Sequence, residues 1–252
     1  MKQKRFTFLL LFVANLFCAS AQKWYTPEID QKVEDLLKQM TVEEKLGYIG
    51  GVNWMYTKSI DRLGIHRMKM SDGPQGLGTN GKSTAYPSTV TLAATWNENL
   101  AYQYGKALGR DCRARNVNVI LGPAVNIYRA PMCGRNFEYM GEDPYLTSRI
   151  CVGYIKGVQD QGVMATVKHF VANNSDYDRN NISNDIDERT LNEIYFPAYK
   201  AAIQEAEVGA VMTSYNLMNG IYTTENPWLL KEVLRNQWGF KGLVMSDWGS
   251  TH

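Results

Sequence analysis

The sequence is poor in the side chains that bind metals and build disulfide frameworks, with 3 His and 4 Cys among 252 residues. Cys112, Cys133 and Cys151 lie far apart, and none has the paired short spacing of a zinc site. Three scattered thiols also give no disulfide framework. We therefore expect no metal site, and buried or idle thiols with at most one bridge.

An excess of charge of either sign is also missing. Lys and Arg number 27 and Asp and Glu number 25, a formal net charge of +2. Three positive charges lie within residues 1–21, so removing that segment changes the formal charge to −1. No basic cluster, internal repeat or low-complexity tract is present. The composition therefore excludes nucleic acid as a partner.

Long hydrophobic runs are limited to one, at residues 6–17, which is shorter than the about 20 apolar residues of a membrane-spanning helix. It follows three basic residues and precedes Ala-Ser-Ala at residues 19–21, the pattern of a secretory signal peptide cleaved before Gln22. The alternative, a lipid anchor at Cys18, is disfavoured because Phe17 stands where a small residue is usual. We expect residues 1–21 to be a signal peptide, and the rest to be exported to the periplasm or the exterior without a membrane anchor.

The remaining chain alternates short apolar runs with longer amphipathic segments, which indicates an α/β fold with a largely parallel sheet. Helical spacing predicts a helix over Pro27–Met40, and a capping box at Thr41 predicts a second one. Six apolar runs are predicted as strands: Arg67–Met70, Thr91–Ala94, Val117–Leu121, Met164–Val167, Ala210–Thr213 and Leu243–Met245.

Each of these runs stops at a group of polar residues, and the last stops at Ser246-Asp247-Trp248. Polar groups at the carboxyl ends of successive strands are typical of a (β/α)8 barrel, although a doubly wound sheet also binds ligands at strand ends. We expect a TIM-type barrel that is incomplete at its C-terminus. The polar stretch Asn173–Asp187 is predicted as a long loop, either a lid or rim or a solvated excursion.

The polar residues at the strand ends are of the kinds that bind a neutral sugar: carboxylates, cations and aromatic rings. Taken singly, each has a structural alternative; Arg135, for example, could pair with Glu138 or Glu142, and His169 could be a core histidine. Their joint occurrence favours a sugar site. The set comprises Asp72, Arg135, Lys168, His169, Tyr215, Asp247 and Trp248.

The chain resembles glycoside hydrolase family 3, the β-glucosidase group. The resemblance covers almost all of residues 22–252, in family order. The matching segments are Ser71–Gly76, Gly122–Ile127, Gly134–Leu146, Val167–Phe170, Asp187–Leu191, Met212–Asn216 and Ser246–Gly249.

The resemblance implies an N-terminal barrel domain in which Asp247 is the nucleophile of a retaining mechanism. It also implies that five residues line the subsite for the non-reducing sugar, with Met212 and Trp248 nearby, and that no metal or organic cofactor is needed. The five are Asp72, Arg135, Lys168, His169 and Tyr215.

A retaining hydrolase also needs an acid/base carboxyl. In most of the family that this chain resembles, a following α/β sandwich domain supplies a Glu, and this sequence ends before such a domain. The β-N-acetylglucosaminidase branch uses a His-Asp pair after Lys-His-Phe-Pro-Gly-His-Gly, whereas Lys168-His169-Phe170 continues here as Val-Ala-Asn-Asn. We expect a C-terminal domain to be encoded downstream.

The substrate expected from the resemblance is a β-glucoside or oligosaccharide, since Asp72 suits the outer hydroxyls of a hexose and the xylosidase branch carries a different segment there. Two further readings stay open at this point. One is a truncated barrel that binds sugar without turnover. The other is an aldolase in which the Lys168 amine forms a Schiff base with a carbonyl substrate.

Overall fold

The computed structural model describes residues 25–79 and 81–252. The signal peptide expected at residues 1–21, and the Cys18 alternative with it, lie outside the described residues. In chain order the described strands are β1 (Gly51–Val52), β2 (Tyr56–Thr57), β3 (Met70–Asp72), β4 (Val119–Leu121), β5 (Met164–Phe170), β6 (Ser183–Asn184), β7 (Ala210–Thr213), β8 (Leu217–Met218), β9 (Ile221–Tyr222) and β10 (Leu243–Met245).

The described α-helices alternate with these strands. They are α1 (Pro27–Gln39), α2 (Val42–Ile49), α3 (Thr89–Ala93), α4 (Glu98–Ala114), α5 (Pro144–Gln159), α6 (Glu188–Thr190) and α7 (Pro197–Gln204). Wider, π-type turns run over Leu191–Tyr195 and Trp228–Gln237, and tighter 3-10 turns over Asp61–Leu63 and Asn136–Glu138.

The first two helices begin where the sequence predicts. Thr26 caps α1, and a capping box starts α2, in which the Glu44 N–H donates to Thr41 Oγ1 over 3.2 Å and the Thr41 N–H donates to Glu44 Oε2 over 2.9 Å. These contacts satisfy backbone donors that have no partner inside the helix. The predicted helix over Pro27–Met40 and the capping box at Thr41 are confirmed.

The main sheet has five parallel strands in the order β10-β7-β5-β4-β3. Across the sheet, its strands follow one another in chain order from β3 to β10, with β6, β8 and β9 in a separate small sheet, whereas the strand order of a doubly wound sheet reverses at a switch point. The predicted α/β class is therefore confirmed, and the strand order is that of a barrel. Within the described residues β3 and β10 are edges that do not pair with each other.

Of the six predicted strands, one is wrong and one is displaced. Thr91–Ala94, an apolar run that resembles a strand, belongs to helix α3, because Ser88 caps the helix by accepting the Thr91 N–H, and buried residues recur with helical spacing. The strand predicted at Arg67–Met70 runs instead over Met70–Asp72, where the backbone pairs with β4. Of the other four predictions, three contain the observed strand, and the fourth, Met164–Val167, is the first part of β5, which continues to Phe170.

Alternate residues of the strands face opposite sides, as a pleated sheet requires. Ile120 and Val211 face the helices and join the main core. Their neighbours on the inner side form a second cluster that is rich in methionine. The inner cluster comprises Val119, Leu121 and Met212, with Met55, Met68, Met70, Met164, Met245 and Trp248 packed against it.

Helices α4 and α5 pack closely on the outer side because glycines face the partner backbone. A β-carbon on Gly157 would lie 2.1 Å from the Tyr102 carbonyl oxygen, and one on Gly105 would lie 2.1 Å from the Tyr154 carbonyl oxygen. Neither distance is sterically possible without movement of a helix. The glycines therefore set the helix separation and, through it, the position of α5 against the sheet.

Candidate active site

A pocket of about 250 Å³ opens at the carboxyl ends of the five parallel strands. Residues from both edge strands reach it, Asp72 at the end of β3 and Asp247 two residues beyond β10, so the curled sheet brings its first and last strands to one site. The pocket is lined by Trp54, Met55, Asp72, Leu121, Arg135, Lys168, Arg179, Met212, Tyr215, Asp247 and Trp248.

Period-two geometry explains why these side chains point inward. Asp72 follows the inner Met70, Lys168 follows the inner Met164 by four residues, and Asp247 follows the inner Met245 by two. Each site residue therefore continues the inner face of its own strand beyond the apolar cluster. The methionine cluster forms the apolar layer on which the polar site stands.

Asp247 is 7% exposed, and the Trp248 N–H donates to its Oδ1 over 2.8 Å. The second oxygen, Oδ2, has no hydrogen-bond partner in the described part of the chain and is buried. It lies 3.6 Å from His169 Nε2 and 3.7 Å from Arg135 Nη1. The carboxylate is thus poorly solvated and close to one cation.

Burial raises the pKa of Asp247 above its ordinary value, because desolvation disfavours the charged form. The Trp248 N–H and the cations Arg135 and Lys168 oppose this effect, as does the Tyr215 hydroxyl, but they do not cancel it. Burial raises the pKa of Tyr215 to about 12, and the negative charge of Asp247 contributes to the rise. Tyr215 is therefore a neutral hydroxyl donor beside the carboxylate.

The two cations of the pocket share a buried carboxylate behind them. Arg135 Nε donates to Glu138 Oε1 over 2.5 Å, and Lys168 Nζ lies 3.7 Å from Glu138 Oε2. Toward the pocket, Lys168 Nζ donates to Asp72 Oδ1 over 3.1 Å. Arg135 does pair with Glu138, as the structural alternative supposed, and it lines the pocket as well. An amine engaged by two carboxylates is a poor nucleophile, which argues against the aldolase reading of Lys168.

His169 is completely buried and does not line the pocket; it lies behind Asp247. The side chain of Asn126 holds it, since Asn126 Oδ1 accepts the His169 N–H over 2.8 Å and Asn126 Nδ2 donates to the His169 carbonyl over 3.0 Å. Burial lowers the pKa of His169 well below its ordinary value, and the cations Arg135 and Lys168 lower it further. The ring is therefore neutral at physiological pH.

The loop that follows β5 adds a residue that was not predicted. Arg179 lines the pocket, and its guanidinium lies 4.1 Å from the centre of the Tyr215 ring, while its Nη1 donates to Asp176 Oδ1 over 3.4 Å. The Asn173–Asp187 stretch is largely a loop, as predicted, and it reaches the site as a rim. An isolated Arg in an Asn- and Asp-rich stretch gives no signal of this role.

The hairpin between β1 and β2 supplies a second unpredicted element, Trp54. Its carbonyl accepts the Trp248 Nε1–H over 3.0 Å, and its own side chain is 73% exposed at the pocket. Asn53 and Trp54 both have positive φ, 48° and 67°. A bulky residue seldom adopts this conformation, so the exposed indole is held at the rim at some cost.

Residues 25–79 and 81–252 contain neither a candidate metal site nor a candidate membrane-spanning helix. No group of three or more His, Cys, Asp or Glu side chains there could hold a metal ion. Cys112, Cys133 and Cys151 are free thiols. Over the same residues no helix has both the length and the apolar character to cross a membrane.

A family model described as the glycosyl hydrolase family 3 N terminal domain matches residues 36–252. The chain belongs to glycosyl hydrolase family 3. A β-glucosidase of Rhizobium radiobacter is 48% identical over 226 residues, which are 87% of this chain and 28% of that protein. An exo-α-(1→6)-L-arabinopyranosidase of Bifidobacterium breve is 40% identical over 229 residues, 86% of this chain and 30% of that protein. The family 3 chain thus spans less than a third of these relatives.

A solved structure gives the same picture of the fold. β-Glucosidase 3B of Thermotoga neapolitana in complex with glucose matches with a TM-score of 0.84 and 41% identity, over 86% of this chain and 34% of the other. Seven of the eight predicted site residues line the pocket of this family 3 chain. The eighth, His169, lies behind the pocket, 3.6 Å from Asp247. Trp54, Met55, Leu121 and Arg179 complete the lining.

Proposed function

We propose that this chain carries the sugar-binding side and the nucleophile of a retaining β-glucosidase, and that Asp247 is the nucleophile. The observation that carries the proposal is the state of the Asp247 carboxylate. It is buried in a strand-end pocket, its Oδ1 accepts a hydrogen bond from the Trp248 N–H, and its Oδ2 has no hydrogen-bond partner among the described residues. A carboxylate with few hydrogen bonds keeps its lone pairs available for attack. The β-glucosidases among the relatives support the same reaction class.

In a retaining mechanism the carboxylate attacks the anomeric carbon, and the bond to the leaving oxygen breaks as that oxygen takes a proton from an acid. Water then hydrolyses the glycosyl ester and regenerates the carboxylate. Arg135, Lys168 and Asp72 offer charge-assisted hydrogen bonds to ring hydroxyls, which are stronger than neutral ones. These contacts hold the ring as it distorts toward an oxocarbenium-like transition state.

The acid is the part of the mechanism that the described pocket does not provide. A retaining enzyme needs a second carboxyl about 5 to 5.5 Å from the nucleophile. Among the described residues Asp72 pairs with Lys168, and Glu138 is buried between Arg135 and Lys168. Both are engaged as charged acceptors. We propose that the acid comes from outside residues 25–252, as the family resemblance implies.

Trapping with a fluorinated substrate tests the nucleophile. 2,4-Dinitrophenyl 2-deoxy-2-fluoro-β-D-glucoside has a leaving group that needs no acid, so the chain alone should form the glycosyl ester. Peptide mass spectrometry is expected to place the adduct on Asp247. An adduct on any other carboxylate would contradict the assignment.

Sugar binding without turnover is a second function that the paired state of Asp72 and Glu138 favours for this chain taken alone. Cellobiose, whose leaving group requires an acid, separates the two cases. We expect the chain to be labelled by the activated glucoside and to leave cellobiose intact. Hydrolysis of cellobiose at an appreciable rate would place the acid within these 252 residues.

A hexoside is the proposed substrate. Asp72 and Lys168 form a pair at the pocket in which the Asp72 side chain is 53% exposed, so a carboxylate oxygen remains available to a ligand hydroxyl. Comparison of glucoside and xyloside trapping rates tests the choice, because the xyloside lacks the C6 hydroxymethyl group. Faster labelling by the fluorinated xyloside would argue for the pentoside.

Export is part of the proposal. The basic start, the apolar run at residues 6–17 and the Ala-Ser-Ala motif support a signal peptide cleaved before Gln22. N-terminal sequencing of the protein recovered from the periplasm or medium is expected to begin at Gln22. A lipid-modified Cys18 at the N-terminus would instead support the anchored form.

A further inference from the structure

Glu138 is an almost fully buried carboxylate that does not line the pocket. It is 4% exposed, and its two oxygens face different cations, Oε1 toward Arg135 Nε at 2.5 Å and Oε2 toward Lys168 Nζ at 3.7 Å. A buried charge is tolerated when it is paired and hydrogen-bonded. Any effect of Glu138 on a bound sugar must therefore pass through these two side chains.

Both cations have a second carboxylate on the pocket side. Arg135 Nη1 lies 3.7 Å from Asp247 Oδ2, and Lys168 Nζ lies 3.1 Å from Asp72 Oδ1. Glu138 thus attracts each cation from behind while a pocket carboxylate attracts it from the front. The guanidinium reaches Asp247 without forming a hydrogen bond to Oδ2.

The backbone fixes Glu138 more firmly than the side chains of its partners are fixed. It ends the 3-10 turn Asn136–Glu138, its N–H donates to the Arg135 carbonyl over 3.1 Å, and its own carbonyl accepts from Thr89 Oγ1 over 2.5 Å. The short helix α3 that carries Thr89 is itself buried against the core. Arg135 and Lys168 are long side chains, so the shorter and better anchored Glu138 is the fixed point of the trio.

We propose that Glu138 is a positioning residue that holds Arg135 back from Asp247 and keeps Lys168 in place beside Asp72. This inference rests on the proposed function, in which Asp247 must stay free to attack a sugar. Without the charge of Glu138, the Arg135 guanidinium closes on Asp247 and forms a hydrogen-bonded ion pair. A carboxylate in such a pair is a weaker nucleophile, and its charged form is stabilised.

Several charged or titratable groups face Asp247. The cations Arg135 and Lys168 favour the charged form of Asp247 and so lower its pKa, as does the Tyr215 hydroxyl. Burial and the nearby cations hold the pKa of His169 well below its ordinary value, so the ring is neutral at neutral pH. The facing groups are Arg135 from the turn before α5, Lys168 and His169 from β5, Arg179 from the following loop, Tyr215 after β7, and Asp72 at the end of β3.

The test compares Glu138→Gln with Glu142→Gln, a matched change four residues away at an exposed carboxylate. Each purified chain is treated with 2,4-dinitrophenyl 2-deoxy-2-fluoro-β-D-glucoside between pH 4 and 8. In E138Q we expect trapping at the plateau to slow by about tenfold or more. We also expect its acid limb, which follows the ionisation of Asp247, to move down by about one pH unit.

E142Q is expected to match the wild type in both respects. A purely structural contribution of Glu138 would slow trapping without moving the acid limb. An E138Q chain with an unmoved limb, or with a limb moved to higher pH, therefore overturns the proposal. If E138Q does not fold, Glu138→Asp keeps the charge but withdraws it by one methylene, and trapping at the wild-type rate would overturn the proposal equally.

Crystal structures of E138Q or E138D separate this inference from the function on which it rests. If the wild-type chain is labelled elsewhere than Asp247, the nucleophile assignment is wrong. The position of Arg135 in the variant structure then still decides whether Glu138 holds it in place. We expect Arg135 Nη1 in E138Q to approach Asp247 Oδ2 within hydrogen-bond distance. An Arg135 that keeps its wild-type position overturns the positioning role whatever the nucleophile is.

Discussion

Asp247 Oδ2 and His169 Nε2 lie 3.6 Å apart, and neither atom has a hydrogen-bond partner among the described residues. Both atoms are buried from bulk solvent. Burial acts on the two groups in the same sense, since it favours the neutral form of each and moves their pKa values in opposite directions. The pair therefore destabilises the fold. Such unfavourable arrangements of titratable groups are concentrated at functional sites.

Asp247→Asn is the first prediction that follows. It should reduce trapping by the fluorinated glucoside by at least about 10³-fold, because an amide cannot form the glycosyl ester. It should also stabilise the fold at pH 7, where the wild-type carboxylate is charged and poorly solvated. We expect a gain of about 1 kcal/mol, or 2–4 °C in Tm, by thermal unfolding.

The pH dependence of that gain provides its control. The folded pKa of Asp247 is raised, so the destabilisation is complete above the folded pKa and disappears below the unfolded value near 3.8. The Tm difference between D247N and wild type should accordingly shrink as the pH falls toward 4. A difference that stays constant with pH would show that charge burial is not its cause.

His169 gives the opposite pH dependence. Its pKa is held well below 6.5, so the folded protein keeps the ring neutral while the unfolded chain takes up a proton below about 6.5. The contribution of this ring to stability should fall by about 1.4 kcal/mol for each pH unit below that value. Chemical denaturation of wild type and His169→Gln between pH 7 and 5 measures it as the difference in slope.

His66 offers the matched control for that measurement, because it is exposed and is not part of the pocket lining. In H66Q the slope of unfolding free energy against pH should match that of the wild type. In H169Q the slope should be smaller by the amount that corresponds to uptake of one proton on unfolding. Equal slopes for H169Q and wild type would mean that the buried ring is protonated in the folded state.

Gly157→Ala tests how the outer helices are held. The added β-carbon would lie 2.1 Å from the Tyr102 carbonyl oxygen, so α4 and α5 must separate. We expect a loss of about 3 kcal/mol or more in the free energy of unfolding, measured by urea titration. Gly50→Ala is the control, since the nearest atom would lie at 4.0 Å and φ is −83°. That change should be neutral or stabilising.

The sequence is sufficient to predict the polar strand ends because parallel strands bring their carboxyl ends to one edge. Asp72, Lys168 and Asp247 each follow an inner-facing residue of their own strand, and that spacing can be counted in the sequence. The α/β class follows from the same alternation. Thr91–Ala94 could not be assigned this way, because the cap at Ser88 decides its helix rather than the apolar run.

Trp54 and Arg179 escaped prediction for a different reason. Their places depend on contacts between distant parts of the chain, the Trp248 Nε1–H to the Trp54 carbonyl across 194 positions and the Arg179 guanidinium on the Tyr215 ring. Neither contact leaves a periodic pattern in the sequence. Both residues lie in loops, where site residues commonly occur on a scaffold set by other elements.

Trp54→Ala tests whether the exposed indole contacts the leaving group. An aromatic side chain at the pocket rim can stack on an aryl group with about 0.5–1.5 kcal/mol beyond area burial. W54A should therefore weaken binding of the dinitrophenyl fluoroglucoside by about three- to tenfold. The measure is its inactivation constant KI, the inhibitor concentration at which inactivation reaches half its maximal rate. Inactivation by 2-deoxy-2-fluoro-β-D-glucosyl fluoride, which has no aromatic group, should change little.

Trp96→Ala is the matched variant for this comparison, because Trp96 is 70% exposed, has a positive φ of 53° and lies outside the pocket lining. It carries the same chemical change and the same kind of backbone strain without a place at the site. W96A should leave both inactivation constants at wild-type values. If W54A raised the constants for the aryl glucoside and the fluoride equally, the indole would act on the sugar subsite through Trp248 rather than on the leaving group.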